Sequence, residues 1–342
     1  EPYRRQRQMC IRDRKYGTHL AVDDLSFTIE KGRIYGFLGP NGAGKSTTMN
    51  IMTGYIGATS GEVIINGHNI LEEPEKAKKC IGYLPEIPPL YLDMTVSEYL
   101  HFAAELKKIS KTKRDEQVTK VMDLIKLDHM KDRLIRNLSK GYRQRTGLAA
   151  AILDFPDIII LDEPTVGLDP KQIIEIRELI RTLAKDHTVI LSSHILAEVQ
   201  EICDDILIIS KGKLIAEGSP EELEELTQGK ETVELTIQAD KDSVSQILSG
   251  FSGIDDISWI DVNESSCHIQ INTNKDTQEL CADLSLAFAQ KKMPVTQIFV
   301  NKATLEDIFL ELTEDNPEEK SSKKSFKKTS KKLFKRKNGG EK

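Results

Sequence analysis

The sequence predicts an α/β fold with a parallel sheet for most of the chain, and three observations support this prediction. An apolar segment at 33–38 runs directly into a glycine-rich turn at 39–46, which opens a helical pattern. A continuous apolar run at 158–161 ends in Asp162 and Glu163 and is typical of a buried parallel strand. Strand and helix patterns alternate from residue 16 to residue 228, as the repeated βαβ units of this fold class require.

The composition indicates a folded chain with more than one domain. With 342 residues, of which 39% are hydrophobic and 30% charged, the chain is long enough to bury the cores of two domains. No apolar run approaches the roughly 20 residues that span a bilayer, so we expect any membrane role to act through a partner. The sequence shows no secretory signal pattern. The five cysteines, Cys10, Cys80, Cys203, Cys267 and Cys281, lack metal-ligand spacing, which indicates free thiols in a reducing cytoplasm.

The first residues of the chain, 1–15, form an atypical basic segment. They contain five arginines in no recognisable pattern and do not begin with Met. The run at 4–14, RRQRQMCIRDR, resembles a translated sequencing adaptor more than an element of a fold. This resemblance indicates that residues 1–15 do not belong to the native protein, and N-terminal peptide mapping of the native protein tests this.

The other end of the chain, 316–342, is a lysine-rich tail. Its residues 320–342 contain eleven Lys or Arg and one Glu, whereas the whole chain carries a net charge of −6. The tail has neither helical nor strand periodicity, so the sequence predicts disorder. Two interpretations stay open, an inert solvated tail and contact with anionic lipid, which is worth about 1 kcal/mol per lysine. Nucleic acid is a third alternative and is not the expected partner.

The glycine-rich turn reads GPNGAGKST and matches the phosphate-loop pattern G-x-x-x-x-G-K-[ST]. Glycines allow backbone N–H groups to curl around phosphate oxygens, and the helix that follows adds positive potential. In such a loop Lys45 reaches the β- and γ-phosphates, and the Ser46 hydroxyl is a ligand of Mg²⁺. A chance match would not explain the strand before the turn and the helix after it. The predicted nucleotide-binding residues of the turn are Gly39, Pro40, Asn41, Gly42, Ala43, Gly44, Lys45, Ser46 and Thr47.

Two carboxylates stand where the apolar run at 158–161 ends. Asp162 suits a Mg²⁺ contact through water, and Glu163 suits orientation of the water that attacks the γ-phosphate. We expect positioning and electrostatic neutralisation to supply most of the rate. An acidic helix N-cap is the alternative, but it would leave the upstream phosphate loop unexplained.

Further motifs resemble those of the ATP-binding-cassette (ABC) ATPases, over about 200 residues and in the order of that family. The run LSKGYRQR at 138–145 resembles the family signature, and GLDP at 167–170 resembles the loop after the acidic strand. His194, in LSSH, stands where the family has its switch histidine. Tyr16 matches the aromatic residue that stacks on adenine, with Val22 beside it. The resemblance implies a P-loop NTPase core at 16–228 with an antiparallel β subdomain and a helical subdomain at about 86–156.

The resemblance also implies roles for individual residues. Catalysis would rest on Glu163, His194 and Lys45, while Ser46, Asp162 and Glu86 would contact Mg²⁺. Nucleotide contacts outside the phosphate loop would come from Tyr16, Val22, Glu86, Ser139, Gly141 and Asp169. Because the signature cannot reach the ATP of its own chain in this family, it would close over the ATP of a second copy or of a paired ABC ATPase. ATP-driven closure would then drive a separate polytopic permease at the cytoplasmic face of a bacterial membrane.

Departures from the commonest family pattern point to a subgroup. The signature has Lys140 where a second glycine is commoner and Tyr142 where glutamine is commoner, and Glu86 replaces the usual glutamine. The phrases YLPE, LSKGYRQR and SSHILAEV resemble those of bacterial exporters of the drug, antibiotic and gliding-motility type. The transported substance is not readable from this chain, since selectivity in this architecture resides in the permease.

Each motif has a simpler interpretation when it is taken alone. Ser139 and Gly141 are also suited to starting a helix, and Asp169 before a proline to a turn. A lone His194 at a strand end is more often structural, and Tyr16 suits a strand edge. A soluble ABC ATPase of translation or DNA repair is the alternative function, although such proteins normally carry paired cassettes or a long coiled-coil insertion. A guanine-nucleotide switch is weaker still, since the run NKAT at 301–304 lacks the aspartate that reads guanine.

The segment from 229 to 315 has the pattern of a second, smaller domain. Strand patterns at 232–237, 257–262, 267–271 and 296–300, with helical patterns near 244–248 and 278–290, give the order βαββαβ. That order predicts a ferredoxin-like α+β domain, followed by a short helix at 304–312. Cys267 and His268 are too sparse for a metal site. Dimerisation or regulation is the leading hypothesis for this domain, and a spacer is the alternative.

Overall fold

The structure is a computed structural model that describes residues 7–17, 19–225, 232–263, 265–273, 275–301 and 309. The chain divides between Pro220 and Glu221 into two compact units. The domain boundary predicted at residue 228, nearly all of the helix predicted at 304–312 and the lysine-rich tail lie outside the described residues. None of the helices in the described part of the chain has both the length and the apolar character needed to cross a bilayer.

The first unit alternates strands and helices. Its strands are β1 (Arg7–Tyr16), β2 (His19–Ile29), β3 (Ile34–Leu38), β4 (Ser60–Ile65), β5 (His68–Asn69), β6 (Ile81–Leu84), β7 (Ile158–Leu161), β8 (Thr188–Ser193), β9 (Asp205–Ser210) and β10 (Lys213–Gly218). Its helices are α1 (Lys45–Met52), α2 (Pro74–Lys79), α3 (Val96–Leu106), α4 (Lys111–Ile125), α5 (Lys140–Ile152), α6 (Pro170–Ala184) and α7 (Leu196–Ile202), and α8 (Pro220–Glu225) spans the division between the units.

A six-stranded sheet with the order β10-β9-β3-β8-β7-β6 forms the centre of this unit. Its strands are parallel except for β10, which pairs antiparallel with β9. Strands β3, β7, β8 and β9 are buried along their whole length, as expected for apolar strands covered on both faces. The predicted α/β core is therefore confirmed. Because parallel strands end at one edge, the segments that follow β3, β6, β7 and β8 meet there.

A second sheet, with the order β2-β1-β4-β5, is the antiparallel subdomain. Strand β1 lies in its middle, paired with β2 from Arg7 opposite Ile29 to Tyr16 opposite His19, and with β4. The interpretation of the run at 4–14 as something other than an element of a fold is therefore wrong for 7–14. Strand pairing uses backbone groups, and this segment has no proline, so its basic composition does not prevent pairing. That the segment is foreign to the native protein stays a prediction.

Helices α3, α4 and α5 form the helical part of the unit. A capping box starts α3: Thr95 Oγ1 accepts a hydrogen bond from the Glu98 backbone N–H, and the Glu98 carboxylate accepts one from the Thr95 N–H. Apolar side chains of α3 are buried, Tyr99 and Leu100 among them, whereas Leu106 at its end is 66% exposed. Most of the apolar pattern of α3 thus serves internal packing.

Gly36, in the middle of β3, allows helix α7 to lie directly on the sheet. A Cβ at this position would overlap Val199 Cγ1 and would lie 2.8 Å from the Sγ of Cys203. We expect Gly36→Ala to lower the free energy of unfolding by about 1–3 kcal/mol, because packed interiors do not accommodate added volume. Urea unfolding measures this change. Gly57→Ala is the matched control, since a Cβ there meets no atom within 4 Å, and an equal loss in both variants would contradict the packing argument.

The second unit contains β11 (Thr232–Ile237), α9 (Lys241–Leu248), β12 (Ile254–Val262), β13 (Cys267–Thr273), α10 (Thr277–Gln290) and β14 (Val295–Asn301). Its sheet has the order β12-β13-β11-β14 and is antiparallel throughout. Alternate residues of β11, starting at Val233, are buried together with Leu284 and Phe288 of α10. The predicted βαββαβ order and the ferredoxin-like fold of this domain are confirmed.

Candidate functional site

A cavity of about 520 Å³ lies where the segments after β3, β6, β7 and β8 meet. Its lining combines a run of phosphate-loop residues with acidic, imidazole and aromatic side chains. The lining residues are Tyr16, Ala21, Asn41, Gly42, Ala43, Gly44, Lys45, Ser46, Thr47, Glu86, Glu163, Val166 and His194. The structure thus brings together residues from both sheets of the first unit and from five separate parts of the sequence.

The glycine-rich turn connects β3 to α1 and depends on its glycines. Gly44, which precedes α1, has a φ of 105°, a conformation that other residues rarely adopt. A Cβ on Gly44 would lie 2.6 Å from the carbonyl oxygen of Ala21. Gly39 is equally crowded, because its Cβ would overlap the carbonyl oxygen of Ile209. Glycine at both positions is therefore required for the loop to pass between β2 and β9.

Lys45 is almost completely buried, at 6% exposure, although it lines the cavity. Its ammonium group donates hydrogen bonds to the carbonyl oxygens of Gly39, at 2.7 Å, and Pro40, at 3.4 Å. The same Nζ lies 3.4 Å from Glu163 Oε1. These partners hold a full positive charge at the floor of the cavity, where an anion would gain most from it.

The two carboxylates after β7 differ in their surroundings. Asp162 is directed at the phosphate loop, and its Oδ1 accepts hydrogen bonds from Ser46 Oγ at 3.3 Å and from Ser192 Oγ at 2.6 Å. Glu163 has a φ of 48°, which is uncommon for a residue with a Cβ. Its Oε2 lies 2.9 Å from His194 Nδ1. The turn in the backbone at Glu163 separates the two carboxylates, so that one faces Ser46 and the other faces Lys45 and His194.

Tyr16 and Glu86 are at the rim of the cavity. Tyr16 is 47% exposed at the end of β1, and Glu86 follows β6. Val22, expected beside Tyr16, is fully buried in the core, and its neighbour Ala21 lines the cavity instead. Successive residues of a strand point to opposite faces, and Ala21 is the one whose atoms line the cavity. A contact of Val22 with the nucleotide beside Tyr16 stays a prediction.

Comparisons with known proteins agree with this geometry. The ABC transporter family model matches residues 22–166. The bacitracin transport ATP-binding protein BcrA of Bacillus licheniformis is 34% identical over 299 residues, which cover 87% of this chain and 94% of the relative. The chain belongs to the ABC transporter ATPases.

Two further proteins support the same membership of the ABC ATPases. The linearmycin resistance ATP-binding protein LnrL of Bacillus subtilis is 31% identical and covers 87% of this chain and 95% of its own length. Among solved structures, cbiO1 of Clostridium perfringens, described as part of the ABC transporter complex cbiONQ, is 28% identical with a TM-score of 0.58. The match covers 63% of this chain and 89% of cbiO1. As an ABC ATPase, the chain binds ATP and hydrolyses it.

The residues of this ABC ATPase that were predicted to bind nucleotide from the signature and the GLDP loop, Ser139, Gly141 and Asp169, do not line the cavity of their own chain. Ser139 is exposed and caps α5 by accepting a hydrogen bond from the Tyr142 N–H. Gly141 packs against Gln172, and a Cβ there would lie 2.6 Å from Gln172 Oε1. Asp169 caps α6 and accepts a hydrogen bond from the Gln172 N–H at 3.0 Å. The start of the signature helix and the GLDP loop are thus neighbours in this chain and do not line its cavity.

The sequence reasoning missed several residues of the site in this ABC ATPase. Ala21 and Val166 line the cavity without any polar group that would have singled them out. Ser192 contacts both acidic residues, and Glu198 accepts hydrogen bonds from Thr165 and Ser193. Two consecutive serines at the end of a buried strand, directly before His194, were the available signal.

Proposed function

We propose that this chain is the ATP-hydrolysing subunit of an exporter-type ABC transporter and works as a head-to-tail dimer that drives a separate permease. The incompleteness of the cavity carries the proposal. Lys45, Glu163 and His194 line it, whereas Ser139 and Gly141 of the same chain lie outside it. A second copy, or a paired ABC ATPase, supplies them.

Mg²⁺ is expected at Ser46, Asp162 and Glu86. Ser46 Oγ and Asp162 Oδ1 are already 3.3 Å apart, and Glu86 lines the same cavity. Hydroxyl and carboxylate oxygens are the ligands that Mg²⁺ prefers, so the donor set fits this ion. When bound, Mg²⁺ supplies neutralisation of the charge on the phosphate oxygens.

Hydrolysis requires a water in line with the bond between the γ-phosphorus and the bridging oxygen. Glu163 is the residue that orients this water and accepts its proton. His194 Nδ1 lies 2.9 Å from one carboxylate oxygen of Glu163 and Lys45 Nζ lies 3.4 Å from the other, and these contacts hold the carboxylate in place. Lys45 also remains available to the γ-phosphate at the cavity floor. Attack of the water forms a bond to the γ-phosphorus, breaks the bridging bond and releases ADP and phosphate.

Binding of ATP shifts the dimer from its open to its closed state. Moving a dimer from 1:99 to 99:1 closed needs about 5.5 kcal/mol of differential binding, or about 2.7 kcal/mol from each of two nucleotides. A few charge-assisted hydrogen bonds from Ser139 and Gly141 to the γ-phosphate supply this amount. Loss of the γ-phosphate removes them, and the dimer reopens.

The permease is expected to dock on the helical part of the first unit, at the cytoplasmic face of a bacterial membrane. The segment after Glu86 exposes large apolar side chains, Ile87 at 82%, Tyr91 at 55% and Leu92 at 47%. Exposed apolar groups that lie close together are typical of a protein contact. The names of BcrA and LnrL, which refer to bacitracin transport and linearmycin resistance, support export rather than uptake. The lysine-rich tail is an additional candidate for contact with anionic lipid.

Isolation of the full chain from native membranes tests the transporter role against a soluble role in translation or DNA repair. We expect an affinity-tagged chain, extracted in mild detergent, to bring down one polytopic membrane protein in stoichiometric amount. Replacing Ile87 and Tyr91 by serine is expected to reduce this co-isolation while ATP binding is unchanged, because both side chains are exposed and neither lines the cavity. Recovery of ribosomes or of DNA ends without a membrane protein would contradict the transporter role.

A further inference from the structure

We propose that Ser192 is a positioning residue whose single hydroxyl group fixes the orientation of both acidic residues of the site, Asp162 and Glu163. This inference rests on the proposed function, because it concerns the Mg²⁺ and water sites of the same cavity. Ser192 is fully buried near the end of β8 and does not line the cavity. It therefore acts through Asp162 and Glu163 rather than on the nucleotide.

The hydroxyl of Ser192 makes two hydrogen bonds of opposite sense. It donates to Asp162 Oδ1 at 2.6 Å and accepts from the backbone N–H of Glu163 at 2.9 Å. A hydroxyl has one proton and two lone pairs, so the bond to Asp162 uses the proton and the bond to Glu163 uses a lone pair. The orientation of the hydroxyl is fixed by these two partners.

The hydrogen bond to Glu163 gives the Glu163 backbone N–H a partner where the pairing between β7 and β8 ends. The last paired residues of β7 and β8 are Leu161 and Leu191. The Asp162 N–H donates a hydrogen bond to the carbonyl oxygen of Leu84 on β6. Glu163 then adopts its φ of 48°, which turns its N–H out of the ladder. A buried N–H without a partner destabilises the folded state, and Ser192 Oγ provides the partner. The hydroxyl thus stabilises the backbone conformation that places the Glu163 carboxylate beside Lys45 and His194.

The bond to Asp162 orients the carboxylate toward the phosphate loop. Asp162 Oδ1 accepts from Ser192 on one side and from Ser46, at 3.3 Å, on the other. Without Ser192, rotation of the carboxylate would no longer be restrained toward Ser46. Partners that orient a metal ligand typically change metal affinity or activity by about 10–100-fold when they are removed. Replacing Ser192 should therefore change both the Mg²⁺ dependence of nucleotide binding and the rate of ATP turnover.

The test compares Ser192→Ala with Ser192→Thr, which keeps a hydroxyl, and with the control Thr188→Val. Thr188 is fully buried at the other end of β8, and its Oγ1 accepts a hydrogen bond from the Gly32 N–H at 3.1 Å. The control thus removes the same kind of bond from the same strand, away from the cavity. Each full-length variant is assayed for ATP turnover, for binding of a fluorescent ATP analogue with and without Mg²⁺, and for thermal stability.

We expect Ser192→Ala to lower kcat by about 10–100-fold and to raise the Mg²⁺ concentration needed for half-maximal nucleotide binding. Binding measured without Mg²⁺ should be unchanged, Ser192→Thr should regain activity relative to Ser192→Ala, and Thr188→Val should keep wild-type kcat. Wild-type kcat and Mg²⁺ dependence in Ser192→Ala, or equal losses in Ser192→Ala and Thr188→Val, would overturn the inference. A wild-type chain that binds nucleotide without turnover would count against the proposed function instead, while the shift in Mg²⁺ dependence would still report on Ser192.

Discussion

Replacing Glu163 by glutamine is expected to lower ATP turnover by at least about a hundredfold while ATP binding is retained. The amide has nearly the shape of the carboxylate, so the turn in the backbone and the contact with His194 can persist. It cannot accept a proton from water, however, and it lacks the charge that faces Lys45 at 3.4 Å. ATP should then stay bound with its γ-phosphate intact, and the dimer should stay closed.

The measurement combines steady-state ATPase assays with light scattering in the presence of ATP. Glu163→Gln should elute as an ATP-containing dimer under conditions in which the wild-type chain turns over and reopens. Glu178→Gln is a suitable control, because Glu178 lies on the surface of α6 and pairs only with the neighbouring Arg181 among its described ionic partners. If Glu163→Gln hydrolyses ATP at the wild-type rate, Glu163 has no part in the mechanism.

The parts of this site that the sequence predicted are those encoded in contiguous residues. The phosphate loop needs the pattern at 39–46 between a strand and a helix, and all of that information is local. Asp162 and Glu163 follow an apolar run whose length and composition indicate a buried strand. Their arrival at the phosphate loop was predictable, since parallel strands of one sheet end at the same edge.

The features that the sequence did not reveal depend on strand register and on neighbours distant in sequence. Ala21 lines the cavity, whereas Val22 is buried in the core, because successive residues of β2 point to opposite faces of the sheet. Ser192 becomes important only because β8 lies beside β7 and extends past its end. The strand at Arg7–Tyr16 was hidden by its arginine-rich composition, although pairing with β2 and β4 uses backbone groups alone. Side-chain patterns carry little information about such features.

Mixing two inactive variants is expected to restore activity if each ATP site is built from two chains. Lys45→Met removes the charge at the floor of the cavity, and Ser139→Asp places a negative charge where the γ-phosphate of the partner chain would lie. Aspartate is as good an N-cap as serine, so α5 should remain stable and the effect should be electrostatic. Each variant alone should show little turnover.

In a mixed dimer of these variants, one site combines both lesions and the other combines an intact phosphate loop with an intact signature. Random exchange between two-fold symmetric dimers then restores at most about a quarter of wild-type activity. The control is a mixture of Lys45→Met with Glu163→Gln. Both of these residues belong to the same half of the site, as the 3.4 Å contact within one chain indicates, so every site in that mixture retains a lesion.

The comparison of the two mixtures distinguishes a shared site from a site within one chain. If Ser139 acted on the ATP of its own chain, both chains of the first mixture would carry a damaged site, and activity would equal the sum of the separate variants. Recovery in the first mixture alone requires Ser139 to act across the dimer. Because Ser139 is exposed and lies outside the cavity of its own chain, recovery is the expected result, and it would identify dimer closure as the step that ATP controls.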